Sequence, residues 1–122
     1  MEAYLLITGG LFALVGLRAL LSPIAAVATP FGFAADGADT RHFIRSGTGG
    51  ATLGLGLAMI AGGLLPAYAL AGVVVGVAAL GGLLFGRLFS LFADGIPGWP
   101  ARISALFEAL GLASGLYWLG AA

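Results

Sequence analysis

The chemistry open to this 122-residue chain rests on few side chains: five Arg, five Asp or Glu, one His, no Lys and no Cys. Arg45, Arg87 and Glu108 stand inside long apolar stretches, where an ionisable group is costly and marks a site candidate. Arg and Glu at a shared depth can do one of two things. They can pair and hold two helices in register, or they can leave a guanidinium facing an acidic or phosphate-bearing ligand. With at least two Arg to one Glu, such a group is cationic and favours an anion over a cation. Arg18 stands about one turn from the end of its own apolar run and could join the set. Asp94 is followed by Gly95, an ordinary helix stop, yet an acid there opposes the helix dipole. Asp94 therefore calls for a partner, and Arg87, Arg102 or Arg41 would serve. Arg45, Arg87, Glu108, Asp94 and Arg18 form the candidate ligand-binding set.

Other chemistries find little support. Without Cys there is no disulfide, thiol nucleophile or Cys-ligated metal. His42 is a lone imidazole with no evident co-ligand, so no metal and no cofactor are expected. Asp36 and Asp39 read as turn and capping residues, and Glu2 as solvated. No catalytic residue is assigned, because an Arg–Glu–Asp set does acid–base work only in a geometry that spacing does not supply. Gly47-Thr48-Gly49-Gly50 lacks the preceding strand and following Lys-Ser/Thr of a phosphate loop. Zero net charge and the absence of a basic run argue against nucleic acid.

The elements that must carry these residues follow from composition. The chain is 61% hydrophobic and 8% charged, against about a quarter charged for a soluble domain. So few charges exclude disorder, and 22 Gly without a three-residue period exclude a collagen-like chain. The expected class is an all-α integral membrane protein. A crossing helix needs about 20 mostly apolar residues, and four windows fit: residues 4–21, 40–65, 67–93 and 101–120. They make one transmembrane domain over residues 1–122, a four-helix bundle. Counted from the ends of these windows, Arg45, Arg87 and Glu108 all lie roughly 8 to 10 Å below one surface, on three helices.

The segment from Ser22 to Asp39 is too apolar for a free loop and too short to span, which makes it a candidate interfacial segment. Ala26-Val27-Ala28 resembles a signal-peptide cleavage site, but the acidic start Met1-Glu2 and Arg18 within the apolar run oppose that reading. Tyr4, Tyr68, Tyr117 and Trp118 fall at one face of a four-span chain, as interfacial aromatics do, and Trp99 at the other. All five Arg lie at the face carrying the first and third connections. The positive-inside rule places those connections in the cytoplasm and both termini on the non-cytoplasmic side.

Gly50-x-x-x-Gly54, Gly72-x-x-x-Gly76, Gly82-x-x-x-Gly86 and Gly111-x-x-x-Gly115 put small residues on faces of three helices. Such faces let helices approach closely, within the chain or between subunits. Gly49, Gly50, Gly54, Gly82, Gly86, Gly111 and Gly115 are the expected packing positions.

The run Phe43-Ile44-Arg45-Ser46-Gly47-Thr48-Gly49-Gly50-Ala51-Thr52-Leu53-Gly54-Leu55-Gly56 resembles the second-helix signature of a bacterial membrane family: Arg, paired Gly, then two spaced Gly. Arg87-Leu88-Phe89-Ser90-Leu91-Phe92-Ala93-Asp94-Gly95, followed by Glu108, resembles its second signature. That family is catalogued as domain-of-unknown-function family 4345, small proteins of four predicted membrane helices. The resemblance covers roughly Arg45 to Glu108 and departs at Gly47-Thr48, where the family often has a bulky residue and Tyr. It singles out Arg45, Gly49, Gly50, Arg87, Asp94, Gly95 and Glu108, implies a bacterial inner membrane, and supplies no activity.

Three functions compete on these grounds. The first is a small membrane binding or accessory protein with a cationic intramembrane pocket for a lipid-like or anionic ligand, its partner being membrane lipid. The second is a structural subunit of a larger membrane complex or homo-oligomer, suggested by small size and Gly-lined faces. The third is a small oligomeric transporter, similar in size and helix count to the small multidrug transporters. Those carry their key acid on the first helix, whereas Glu108 is on the last, beside Arg side chains that would repel a cation.

Overall fold

The computed structural model describes residues 1–34 and 36–122. Four helices are long and apolar enough to cross a membrane: α1 (Glu2–Leu21), α2 (Ala38–Leu64), α3 (Pro66–Asp94) and α4 (Trp99–Gly120). No strand occurs among the described residues. The helix ends fall within two residues of the windows read from hydropathy, because the same Pro and Gly residues that interrupt the apolar pattern also break the helices. Leu65 alone, in extended backbone, joins α2 to the 3₁₀ turn Pro66–Tyr68 that opens α3. Gly95 ends α3 at φ +91°, where a side chain would be strained, and Pro100 sits in the first turn of α4.

Neighbours in sequence are neighbours in space. The α1–α2 pair is the tightest, α2 packs on α3 and α3 on α4, while α1 and α4 barely meet. Glycine explains the first contact. A Cβ at Gly9 would stand 2.8 Å from the Gly56 carbonyl oxygen, and one at Gly56 would stand 2.6 Å from the Gly9 carbonyl oxygen. A Cβ at Gly16 would meet the Leu53 amide and the Gly49 carbonyl, and one at Gly49 would stand 3.1 Å from the Leu20 amide. Backbone therefore lies on backbone along most of α1. Where α2 meets α3, Gly62 and Gly72 oppose each other in the same way.

Several glycines named by their spacing do none of this. Gly54, Gly82 and Gly86 have no atom within 4 Å of where a Cβ would stand, and Gly50 meets only the Arg45 carbonyl of its own helix at 3.5 Å. A four-residue spacing marks a face of a helix; which face meets a neighbour is set by the neighbour. Helix α1 takes the face of α2 carrying Gly49 and Gly56, so the face carrying Gly50 and Gly54 points outward.

Two departures from α geometry lie at the end that carries the arginines. The stretch Arg45–Ala51 within α2 is π-helical, as is the short turn Ile24–Ala28 after α1. Three glycines in Arg45–Ala51 ease the wider winding. Ala19, Ala28 and Ile44 form a buried cluster with Ile24 and Val27 against it, so the connection folds back on the ends of α1 and α2. Beyond it the chain turns through Gly32 at φ +74°, leaving Phe31 and Phe33 exposed. At the opposite end, Tyr4, Leu5, Met59 and Val73 form the larger core.

Candidate functional site

The α3–α4 contact positions the charged pair. Leu80 Cδ1 lies 2.9 Å from where a Cβ of Gly111 would stand, and Val77 Cγ2 lies 2.8 Å from the same point at Gly115. Extending this antiparallel pairing places Glu108 opposite residue 84, so Arg87 starts about one turn, roughly 5 Å, nearer the helix end. Helical side chains lean toward their own N-terminus. In antiparallel helices that makes Arg87 lean inward and Glu108 lean outward, and the two meet. Arg87 Nε donates to Glu108 Oε2 at 2.6 Å and Nη2 donates to Oε1 at 2.7 Å. This is a two-pronged fork, the strongest arrangement open to a guanidinium and a carboxylate. The Arg87 side chain is 32% exposed and that of Glu108 13%.

The remaining candidates are arranged differently from expectation. Arg45 does not join the pair: its π-helical stretch packs on α1, with at most marginal contact to α3 or α4. Arg45 and Arg18 are exposed and form no ion pair among the described residues. Depth counted along the chain says how far in a residue lies; it carries no information about the helix face. Asp94 pairs with none of Arg87, Arg102 and Arg41. Ser90 Oγ donates to Asp94 Oδ2 at 2.6 Å, a contact between residues one turn apart that the Ser-x-x-x-Asp spacing could have disclosed. Asp36 binds Arg41 Nη2 at 2.9 Å with both groups exposed, and the N-terminus of α2 has no side-chain cap.

Tyr4 is a residue that sequence reasoning assigned only to the interface. It is buried, and its hydroxyl has no hydrogen-bond partner among the described residues. The hydroxyl lies 2.8 Å from where a Cβ of Gly76 would stand and crowds the same position at Gly115. The helical spacings Gly72–Gly76 and Gly111–Gly115 marked small surfaces; nothing in the spacing named the ring that fills them.

Shallow grooves lie on the surface of the described residues. One, of ≈ 330 Å³, lies between the two connections at the arginine end, against Phe31, Gly32, Gly98 and Pro100. Another, of ≈ 310 Å³, is lined by Ala58, Ala61, Tyr68, Ala71, Gly72 and Val75. Neither is lined by Arg45, Arg87 or Glu108. Among the described residues no group of three or more His, Cys, Asp or Glu could hold a metal.

Helix length, apolarity and the forked Arg87–Glu108 pair between neighbouring helices define a small helical protein with four helices able to cross a membrane. The family described as Domain of unknown function (DUF4345) matches residues 1–119, and the chain belongs to it. No match was found among curated proteins or among solved structures.

Proposed function

We propose that this protein is a small bacterial inner-membrane binding or accessory protein whose arginine-bearing end holds the anionic head of a lipid-like ligand. The observation that carries the reading is Arg87: a guanidinium inside a membrane-length helix, fixed by Glu108 yet about a third exposed. Arg18, Arg41, Arg45 and Arg102 are exposed at the same end of the antiparallel bundle, where they outnumber the exposed Asp36, Asp39 and Asp94. Both connections at this end lie in the cytoplasm, following the arginine bias, and the Ser22–Asp39 segment lies along the interface there. Close glycine packing of α1 on α2 supplies the rigid support.

The test is native mass spectrometry of the protein released from nanodiscs of mixed phosphatidylcholine and phosphatidylglycerol. Retention of phosphatidylglycerol in excess of its share of the bilayer is expected, falling in Arg87→Ala and, to a smaller extent, in Arg45→Ala. Retention in proportion to the bilayer would refute it.

A second reading, a structural subunit of a larger membrane complex, is favoured by one observation. Both Glu108 oxygens are engaged by Arg87 in line with the Leu80–Gly111 contact, which suits a register clamp in the α3–α4 hairpin. A stoichiometric protein partner retained in gentle detergent, with no excess lipid, would move the assignment there.

A further inference from the structure

A guanidinium has two edges that present paired, parallel N–H donors, Nε with Nη2 and Nη1 with Nη2. Glu108 occupies the first edge of Arg87 with both its oxygens. No other acceptor among the described residues takes a hydrogen bond from Arg87, so the second edge and the outer Nη1 hydrogen are unspent. Exposure divides the same way: the carboxylate is the more covered member and the cation the more accessible. Glu108 leaves one guanidinium edge uncommitted, and the Arg87 side chain is exposed enough at the bundle surface for an acceptor outside the chain to reach it. The surrounding turns expose apolar side chains, including Phe85, Leu88 and Phe107. Arg87 itself lies seven residues inside the end of α3, roughly 10 Å along the helix axis.

Building on the anion-binding reading above, we propose that the Nη1–Nη2 edge of Arg87 is a docking fork for a two-oxygen head, carboxylate or phosphate, borne on an apolar tail. Glu108 is its positioning residue. It holds the guanidinium plane by the other edge and balances its charge, so the pair by itself is neutral. The apolar surroundings select the tail, and the fork selects planar or tetrahedral oxyanions over choline or ethanolamine heads. Lysine cannot substitute, since one ammonium offers no second edge once Glu108 has engaged it.

The experiment uses the full chain with ¹⁵N-labelled arginine in phosphatidylcholine nanodiscs, titrated separately with oleate, phosphatidate and inorganic phosphate. The Arg87 side-chain resonances are assigned by their loss in Arg87→Lys. Oleate and phosphatidate are each expected to shift the Arg87 Nη1 signal, with inorganic phosphate inert at equal concentration. Retention of oleate in native mass spectra should fall about tenfold in Arg87→Lys, fall in Glu108→Gln while the Arg87 resonances broaden, and stay within twofold of wild type in Arg45→Lys. The Nη1 shift is read on the wild-type chain, with Arg87→Lys serving it only for assignment, so a loss of ligand retention caused by misfolding of a variant does not decide the matter. Wild-type retention that survives Arg87→Lys but is lost in Arg45→Lys overturns the fork and leaves the broader anion-binding function standing. An equal Nη1 shift from inorganic phosphate overturns the requirement for a tail. Absence of any anion preference in the wild type overturns both proposals.

Discussion

At the scale of single residues, two polar groups inside the helices behave oppositely. Tyr4 buries a hydroxyl with no partner against two glycines. An unsatisfied buried donor costs about 1–3 kcal/mol, so Tyr4→Phe should be neutral or stabilising by about 1 kcal/mol in the same terms. Tyr4→Ala, which empties the wedge between α3 and α4, should lose roughly 3–5 kcal/mol. Unfolding titrations in sodium dodecyl sulfate measure both, and a marked loss in Tyr4→Phe would mean that the hydroxyl is bonded after all. Glu108 is the reverse case, a charge whose value depends on its partner. Glu108→Ala strands Arg87 and should cost on the order of 2 kcal/mol, less than for a wholly buried pair because Arg87 reaches the surface. The double replacement Arg87→Met with Glu108→Leu removes both charges and should recover most of that loss. If it recovers none, apolar packing at this level matters more than the ion pair.

At the scale of helices, the α1–α2 contact is made of backbone and the α3–α4 contact of side chains packed into glycines. The consequences of adding atoms differ accordingly. Gly16→Val would drive a side chain into the Leu53 amide and the Gly49 carbonyl. Neither can move without shifting a helix, so a loss of about 3 kcal/mol or more is expected, at the upper end for overpacking. Gly82→Ala meets nothing within 4 Å and should gain up to about 1 kcal/mol from helix propensity alone. Comparing the two by the same unfolding titration separates packing glycines from idle ones. Equal destabilisation by both would indicate that Gly82 lies on a face used between copies of the chain.

For the whole molecule, antiparallel connection gathers all five Arg at one end and leaves the other without Lys or Arg. The proposed sidedness is directly measurable because the chain has no native cysteine. A membrane-impermeant maleimide applied to intact cells should label Ala122→Cys and spare Gly98→Cys, and inverted vesicles should show the reverse. Labelling of Gly98→Cys in intact cells would turn the molecule over and place the arginine end outside. Helix α4 is the helix least buried within its own chain.

Hydropathy and Pro–Gly punctuation by themselves determined the number, length and antiparallel order of the helices. Each depends on local composition, and crossing an apolar layer imposes a length that a 20-residue window registers. The ionisable residues at one end were equally legible, since an Arg or Glu in an apolar run stands out in any arrangement. Which of them touch was a matter of rotation about the helix axes. That rotation is set by how side chains and bare backbone fit between neighbours, and in Arg45–Ala51 by a wider winding that shifts phase within one helix. Hence spacing grouped Arg45 with Arg87 and Glu108, whereas the packed helices join Arg87 to Glu108 alone and turn Arg45 away. It likewise named Gly54, Gly82 and Gly86 as contacts and overlooked Gly9, Gly16 and Gly56, because the spacing of small residues describes one helix and a contact needs the facing surface of two.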